Sequence, residues 1–125
     1  MRIGGACLNQ IPMDWDNNVG NILKAIEKAR DLGVQILCLP ELAMTGYGCE
    51  DMFLSEWVPQ KALEKLPEII EQTQGISVAV GLPLIFENQL FNTVCYIKDQ
   101  QPLAFYAKQK LANDGVHYEP RWFTA

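Results

Sequence analysis

Glu41 follows directly on a short apolar run, Ile36-Leu37-Cys38-Leu39-Pro40, that is too brief for a free-standing helix. Pro40 has no N–H to give to a ladder, so the run reads as a strand that stops there and delivers Glu41 to its C-terminal end. In open α/β sheets that edge is where ligands bind. A carboxylate set there against apolar walls is poorly solvated, and its proton affinity is open to tuning for acid–base work. The same residues also fit a plainer role, in which Glu41 caps the next turn or pairs with a surface lysine. Lys108 closes a second strand-like run, Pro102 to Ala107. A lysine placed beside a carboxylate can stabilise a developing oxyanion; alone, it equally fits a surface lysine whose stem lies along the sheet.

The cysteines offer less. Cys7, Cys38, Cys49 and Cys95 include no CxxC pair, and His117 is the single histidine, which argues against a zinc site built from closely spaced ligands. Cys7, Cys38 and Cys95 lie in apolar runs and are expected to be buried small hydrophobes of a reducing compartment. Cys49 lies in a loop and is the one candidate for reactivity, which the adjacent Glu50 and Asp51 oppose by raising a thiol's pKa.

Two kinds of element must position these residues. The run Arg2–Leu8 reads as a strand. Asp14, Asp16 and Asn17 are candidate N-caps of a helix running to about Leu32, with Val19, Ile22, Leu23, Ile26 and Ala29 at helical spacing. Gly33 is its expected stop, and 34–39 is the next strand, so the three elements form a βαβ unit with parallel strands and a right-handed crossover. Ser55 is a candidate cap of a second helical region whose apolar face is Ala62, Leu63, Leu66, Ile69 and Ile70. Pro67 is expected to kink or split it. Strands follow at 77–84, 90–97 and 102–108, joined by the short turns 87–89 and 99–101, which implies an antiparallel meander. The expected class is α/β: a mixed β-sheet with two helical segments on one face.

The chain has 125 residues, a hydrophobic fraction of 49%, and ten Lys and Arg against fifteen Asp and Glu, for a net charge of −5. This fits one domain with a real core and argues against non-specific nucleic-acid binding. No apolar run approaches the roughly 20 residues that span a bilayer, and the N-terminus lacks the zones of a signal peptide; a cytoplasmic location is expected. The chain stops just after the aromatic cluster Arg121-Trp122-Phe123, with nothing to cover the sheet's other face. It is therefore expected to be the N-terminal piece of a longer protein.

Pro40-Glu41-Leu42-x-x-Thr45-Gly46-Tyr47 after an apolar strand, followed by a strand-terminal lysine, resembles the nitrilase (carbon–nitrogen hydrolase) superfamily. Three stretches narrow the resemblance: Ile3 to Gln10, Glu41 to Asp51, and Lys108 to Glu119 with Arg121-Trp122-Phe123. Together they are similar to the N-terminal glutaminase domain of the glutamine-dependent NAD(+) synthetases, the Glu50-Asp51 pair and Leu111-x-Asn113-x-Gly115-Val116-x-x-Glu119 being the branch-specific parts. The resemblance implies an αββα sandwich, of which residues 1–125 form the N-terminal part, and a Glu-Lys-Cys triad. Glu41 matches the general base and Lys108 the oxyanion-stabilising lysine. Lys110 is set aside because the family's lysine precedes the Leu-x-Asn segment by three residues. Glu119 matches a further carboxylate that orients lysine or substrate. Tyr47, Asp114 and His117 are the substrate-binding candidates, although Asp114 stands where many members carry an aromatic residue that contacts glutamine, and Ala112 where many carry proline.

The matching cysteine lies beyond Ala125, as does the synthetase domain that uses ATP and magnesium. The fragment is accordingly expected to need no cofactor of its own, to be inactive, and to self-associate or be poorly soluble through its uncovered sheet face. The whole protein is expected to act on glutamine as a homo-oligomer. A truncated stand-alone amidase and a non-catalytic α/β interaction module are the alternatives.

Overall fold

The computed structural model describes all 125 residues. Its elements are β1 (Ile3–Gly5), α1 (Trp15–Asp31), β2 (Ile36–Cys38), a 3-10 turn (Glu50–Leu54), α2 (Trp57–Ile70), β3 (Ser77–Phe86), β4 (Gln89–Lys98), β5 (Gln101–Ala107) and a last 3-10 turn (Glu119–Arg121). The five strands lie in the sheet in the order of the sequence. β1, β2 and β3 are parallel, and β4 and β5 continue antiparallel. The two parallel steps move the same way across the sheet, so two right-handed crossovers place α1 and α2 on the same face. This is the expected α/β architecture. No helix is long and apolar enough to cross a membrane.

α1 buries Val19, Ile22, Ile26 and Ala29 along one stripe. These pack with Ala62, Leu66 and Ile69 of α2 onto Leu37, Val78, Val80, Leu82, Cys95 and Ile97 of the sheet. Each fully buried aliphatic side chain contributes on the order of 1.5–3 kcal/mol, so this layer dominates the favourable side of folding. Asp14 takes the N-cap position of α1, but its carboxylate accepts from the Asn17 side chain and not from a helix amide. Gly33, at φ +70°, ends the helix in the left-handed conformation that a glycine adopts without strain.

α2 runs unbroken through Pro67, so the helix is not split there. The physical reason is its position. Pro67 and Leu63, the residue whose carbonyl loses its partner, both lie on the exposed side, where water replaces the missing donor. Leu63 accordingly belongs to the solvent side and not to the apolar face. The helix also begins earlier than its apolar spacing suggests, with Val58 and Pro59 buried in its first turn.

β1 and β2 are three residues each, shorter than the runs 2–8 and 34–39. Ladder-like bonds continue past them, from the Ala6 amide to the Cys38 carbonyl (3.0 Å) and from the Leu39 amide to the Ala79 carbonyl (3.1 Å). The hairpin turns carry Glu87-Asn88 and Asp99-Gln100 with both residues at positive φ, the type I′ geometry that matches strand twist.

Strand alternation also decides the fate of the thiols. Cys38 pairs in register with Gly5, on the sheet face that neither helix covers, and Cys7 follows Gly5 by two. Both are exposed, which corrects the expectation that their apolar context buries them: a period-two element buries one parity only. Cys49 and Cys95 are buried. The loop cysteine, Cys49, donates weakly to the carbonyls of Thr45 and Gly46, and burial pushes its thiol up. Burial pushes Cys95 up to about 11. A thiol reagent at neutral pH is expected to label Cys7 and Cys38 rapidly and the other two only after denaturation. Four fast thiols in the native chain, or none, would contradict the strand parity.

Candidate functional site

The site lies on the uncovered face of the sheet, where the segment after β2 crosses over β3. The Met44 amide donates to the Gly81 carbonyl at 3.1 Å. Gly81 is what lets the crossing come so close: a Cβ there would stand 2.5 Å from the Leu42 nitrogen, 2.9 Å from the Pro40 carbonyl oxygen and 3.1 Å from the Glu41 carbonyl carbon. Leu42 is fully buried and sits at φ +51°, a conformation that strains a residue with a Cβ by about 1–3 kcal/mol and persists only where packing enforces it. Its carbonyl accepts from the amides of Thr45 and Gly46. Packing from below and the tight turn from behind thus fix the backbone that carries Glu41.

Lys108 reaches the same place from the end of β5. Strand parity puts it on the face of Tyr106 and Ala104, and its amide donates to the Asn92 carbonyl at 2.8 Å. Its Nζ is 2.7 Å from Glu41 Oε1 and 3.0 Å from Glu119. Asn92, in β4, donates its side-chain amide to the same Glu41 oxygen at 2.6 Å. These residues border a shallow depression of about 260 Å³ lined by Leu39, Pro40, Gly81, Val94 and Tyr106.

Glu119 is the buried member, 1% exposed. Its carboxylate accepts from the Ala112 amide (2.9 Å), the Tyr47 hydroxyl (2.8 Å) and Lys108. Burial is the largest single influence and disfavours its charge, but the three donors together outweigh it and hold the carboxyl below its ordinary range. Lys108 shows the mirror image. Burial is again the largest influence and works against the charge, while Glu41 and Glu119 together raise the ammonium above its ordinary value. The cluster therefore sets the Lys108 ammonium between the buried Glu119 carboxylate and the solvent-facing Glu41 side chain. Tyr47 is pushed upward by burial and by donating to Glu119, so it remains a neutral donor.

A clamp holds Glu119 in place. Arg121 grips Asp51 with two bonds of 2.6 and 2.7 Å, and the Trp122 indole donates to Asp51 at 3.0 Å. The Arg121 guanidinium, together with Trp122, holds the Asp51 carboxyl far below the usual range. The Tyr118 hydroxyl donates to Glu50 at 2.6 Å. Beneath them Phe53, Trp122 and Phe123 form an aromatic cluster with Leu42 and Cys49. The Glu50-Asp51 pair thus serves to dock the segment that carries Glu119.

The structure brings Glu41, Lys108, Glu119 and Tyr47 into one hydrogen-bonded group. His117 stands at its rim, Nδ1 3.4 Å from the Tyr47 hydroxyl and its ring edge-on to the tyrosine. Asp114 is exposed; its carbonyl accepts from the His117 amide, and its carboxylate joins no bond of the group. Asn92 and Gly81 went unread in the sequence, although each left a signal: a polar residue inside the apolar run LFNTVCYI, and a glycine inside the strand SVAVGLPL, where glycine marks a close approach of backbone.

A family model described as carbon-nitrogen hydrolase matches residues 3–124. The chain is 37% identical over 127 residues to a glutamine-dependent NAD(+) synthetase of Oryza sativa subsp. indica, covering 100% of this chain and 17% of that protein. Among solved structures, a glutamine-dependent NAD(+) synthetase from Cytophaga hutchinsonii superposes with a TM-score of 0.97 at 54% identity, covering 100% of this chain and 22% of that one. A variant of the amidase from Nesterenkonia sp. AN1 shows covalent addition of the acetamide moiety of fluoroacetamide at its active-site cysteine. It superposes with a TM-score of 0.80 at 25% identity, covering 99% of this chain and 47% of the amidase. The chain therefore spans about a sixth of the length of the curated synthetase it matches.

Proposed function

Because this chain belongs to the carbon–nitrogen hydrolase family, we propose that it supplies the base and the electrostatic stabiliser of an amide-hydrolysing site, within the N-terminal part of the glutaminase domain of a glutamine-dependent NAD(+) synthetase. The observation that carries this reading is the convergence of Glu41 and Lys108 at 2.7 Å, from two separate strand ends, on one open depression. Its closeness to synthetases of the same name favours glutamine as the substrate.

The nucleophile is a cysteine from a further segment of the same protein. Glu41 takes the proton from its thiol, and the thiolate attacks the carbonyl carbon of the side-chain amide. Lys108, fixed as a cation, stabilises the tetrahedral oxyanion and helps deliver a proton to the departing nitrogen. Glu41 returns the thiol's proton to that nitrogen, the C–N bond breaks and ammonia leaves; water then attacks the thioester with Glu41 accepting its proton, and glutamate departs as that proton passes to the cysteine sulfur. Glu119 holds the lysine, and Tyr47 and His117 border the substrate. The ammonia passes to ATP- and magnesium-dependent amidation of nicotinate adenine dinucleotide in a separate synthetase domain of a cytoplasmic homo-oligomer.

The test is glutamate release from glutamine by the protein that joins this chain to the rest of its hydrolase domain. The parent is expected to be active, Glu41→Gln to lose at least about 10³-fold in kcat, and the 125-residue chain alone to be inactive. Turnover by the isolated chain, or activity that survives Glu41→Gln, would sink the assignment.

A further inference from the structure

The geometry points to Asn92 as the positioning residue of this site: we propose that it fixes which oxygen of Glu41 is free to take a proton. The inference rests on the catalytic reading of Glu41 given above and extends it to a residue outside the triad. Glu41 Oε1 accepts two bonds, from Lys108 Nζ at 2.7 Å and from Asn92 Nδ2 at 2.6 Å. Both are charge-assisted and short. With Oε1 occupied twice, Oε2 is the oxygen left for an incoming thiol or water. A carboxylate held by lysine alone could swing about that single contact and exchange its two oxygens. The second donor, arriving from a different strand, removes that freedom.

Asn92 is suited to the task by its own immobility. It is only 4% exposed, it sits in the middle of β4 opposite Pro83, and its carbonyl accepts from the Lys108 amide at 2.8 Å. One residue thus ties the base through its side chain and the cation through its backbone, so the two are set relative to each other by a single β-ladder position. Pro83 opposite brings no N–H to the ladder, and Asn92 is turned toward the site face of the sheet along with Val94 and Tyr96. Replacing Asn92 removes the link to Glu41 while leaving the backbone link to Lys108 intact, which separates its role from that of the lysine.

The experiment is steady-state glutamine hydrolysis by Asn92→Ala and Asn92→Asp in the protein that joins this chain to the rest of its hydrolase domain, beside the parent and Glu41→Gln. Asn92→Asp keeps the shape but trades the donor for an acceptor that repels Glu41. Both variants are expected to lose about 10- to 100-fold in kcat, with KM within about threefold, the Asp variant losing more. A kcat within threefold of the parent in either folded variant overturns the inference, as does a loss confined to KM. If Asn92→Ala does not fold, the isosteric variant decides; if neither folds, Asn92 is a core residue and the inference fails. An inactive parent, or an active Glu41→Gln, sinks the catalytic reading itself, whereas an active parent with a dead Glu41→Gln and normal Asn92 variants sinks this inference alone.

Discussion

Lys108→Ala is expected to lower kcat for amide hydrolysis by about 10³-fold, the scale seen when a preorganised oxyanion donor is removed. Free amine added to the assay should restore little, because the lysine's worth lies in its fixed geometry. Three bonds set that geometry: the backbone bond to Asn92 and the side-chain bonds to Glu41 and Glu119. The substitution also strips a donor from Glu119, which is buried. Glu119 titrates below its ordinary range in the folded chain, so its contribution to stability is present above that range and is lost as pH falls through the lower folded value. Without Lys108 the folded value moves up, and acid unfolding should begin at higher pH than in the parent. The readouts are kcat and an acid titration followed by tryptophan fluorescence. A variant with unchanged turnover would remove Lys108 from the chemistry, and an unchanged acid transition would remove it from the support of Glu119.

Gly81→Ala is expected to act through the backbone. The added Cβ meets main-chain atoms of Pro40, Glu41 and Leu42, the nearest at 2.5 Å, and none of them can rotate away as a side-chain tip would. The crossing segment must lift from β3. Overpacking of this kind destabilises by about 1–3 kcal/mol, and a displacement of about 1 Å at a catalytic group lowers turnover by about 10²-fold. Gly20→Ala is the control. It lies in α1 with no atom within 4 Å of the added carbon, so it should raise stability by about 0.5–1 kcal/mol and leave kcat alone. The comparison uses thermal melts and kcat on both variants. Full turnover in Gly81→Ala would mean that the Glu41 segment does not depend on this contact.

The sequence disclosed the periodic parts of this fold and the residues at element ends. The stripe of α1, the first βαβ unit and the meander turns follow from spacing alone. So does the arrival of Glu41 and Lys108 at strand termini. What stayed hidden depends on three-dimensional neighbours. An apolar setting did not reveal that Cys7 and Cys38 lie on the uncovered parity of their strands. The propensity of Pro67 to break a helix gave no sign that its orphaned carbonyl would face water. The Glu50-Asp51 pair was recognisable as a signature, but its partner Arg121 is 70 residues away from Asp51, and no local pattern joins them. Asn92 and Gly81 act on the same short segment from beneath, a relation that exists only once the chain has crossed its own sheet.

The order of the strands bears on how the molecule forms. Every strand lies beside its neighbours in sequence; the antiparallel pairs of β3, β4 and β5 close over two-residue turns and form readily, whereas the parallel pairs join residues 33 and 41 apart (Ile3 with Ile36, Ile36 with Ser77) and lose more chain entropy before contacts form. A chain emerging from its N-terminus can add each strand to the growing edge as it appears, with no waiting for a distant partner. Glu41 is laid down early in that sequence, Asn92 and the Lys108 that engages it come with β4 and the end of β5, and the docking of Glu119 comes after. The chemistry is thus the last thing to be assembled, on a scaffold already built.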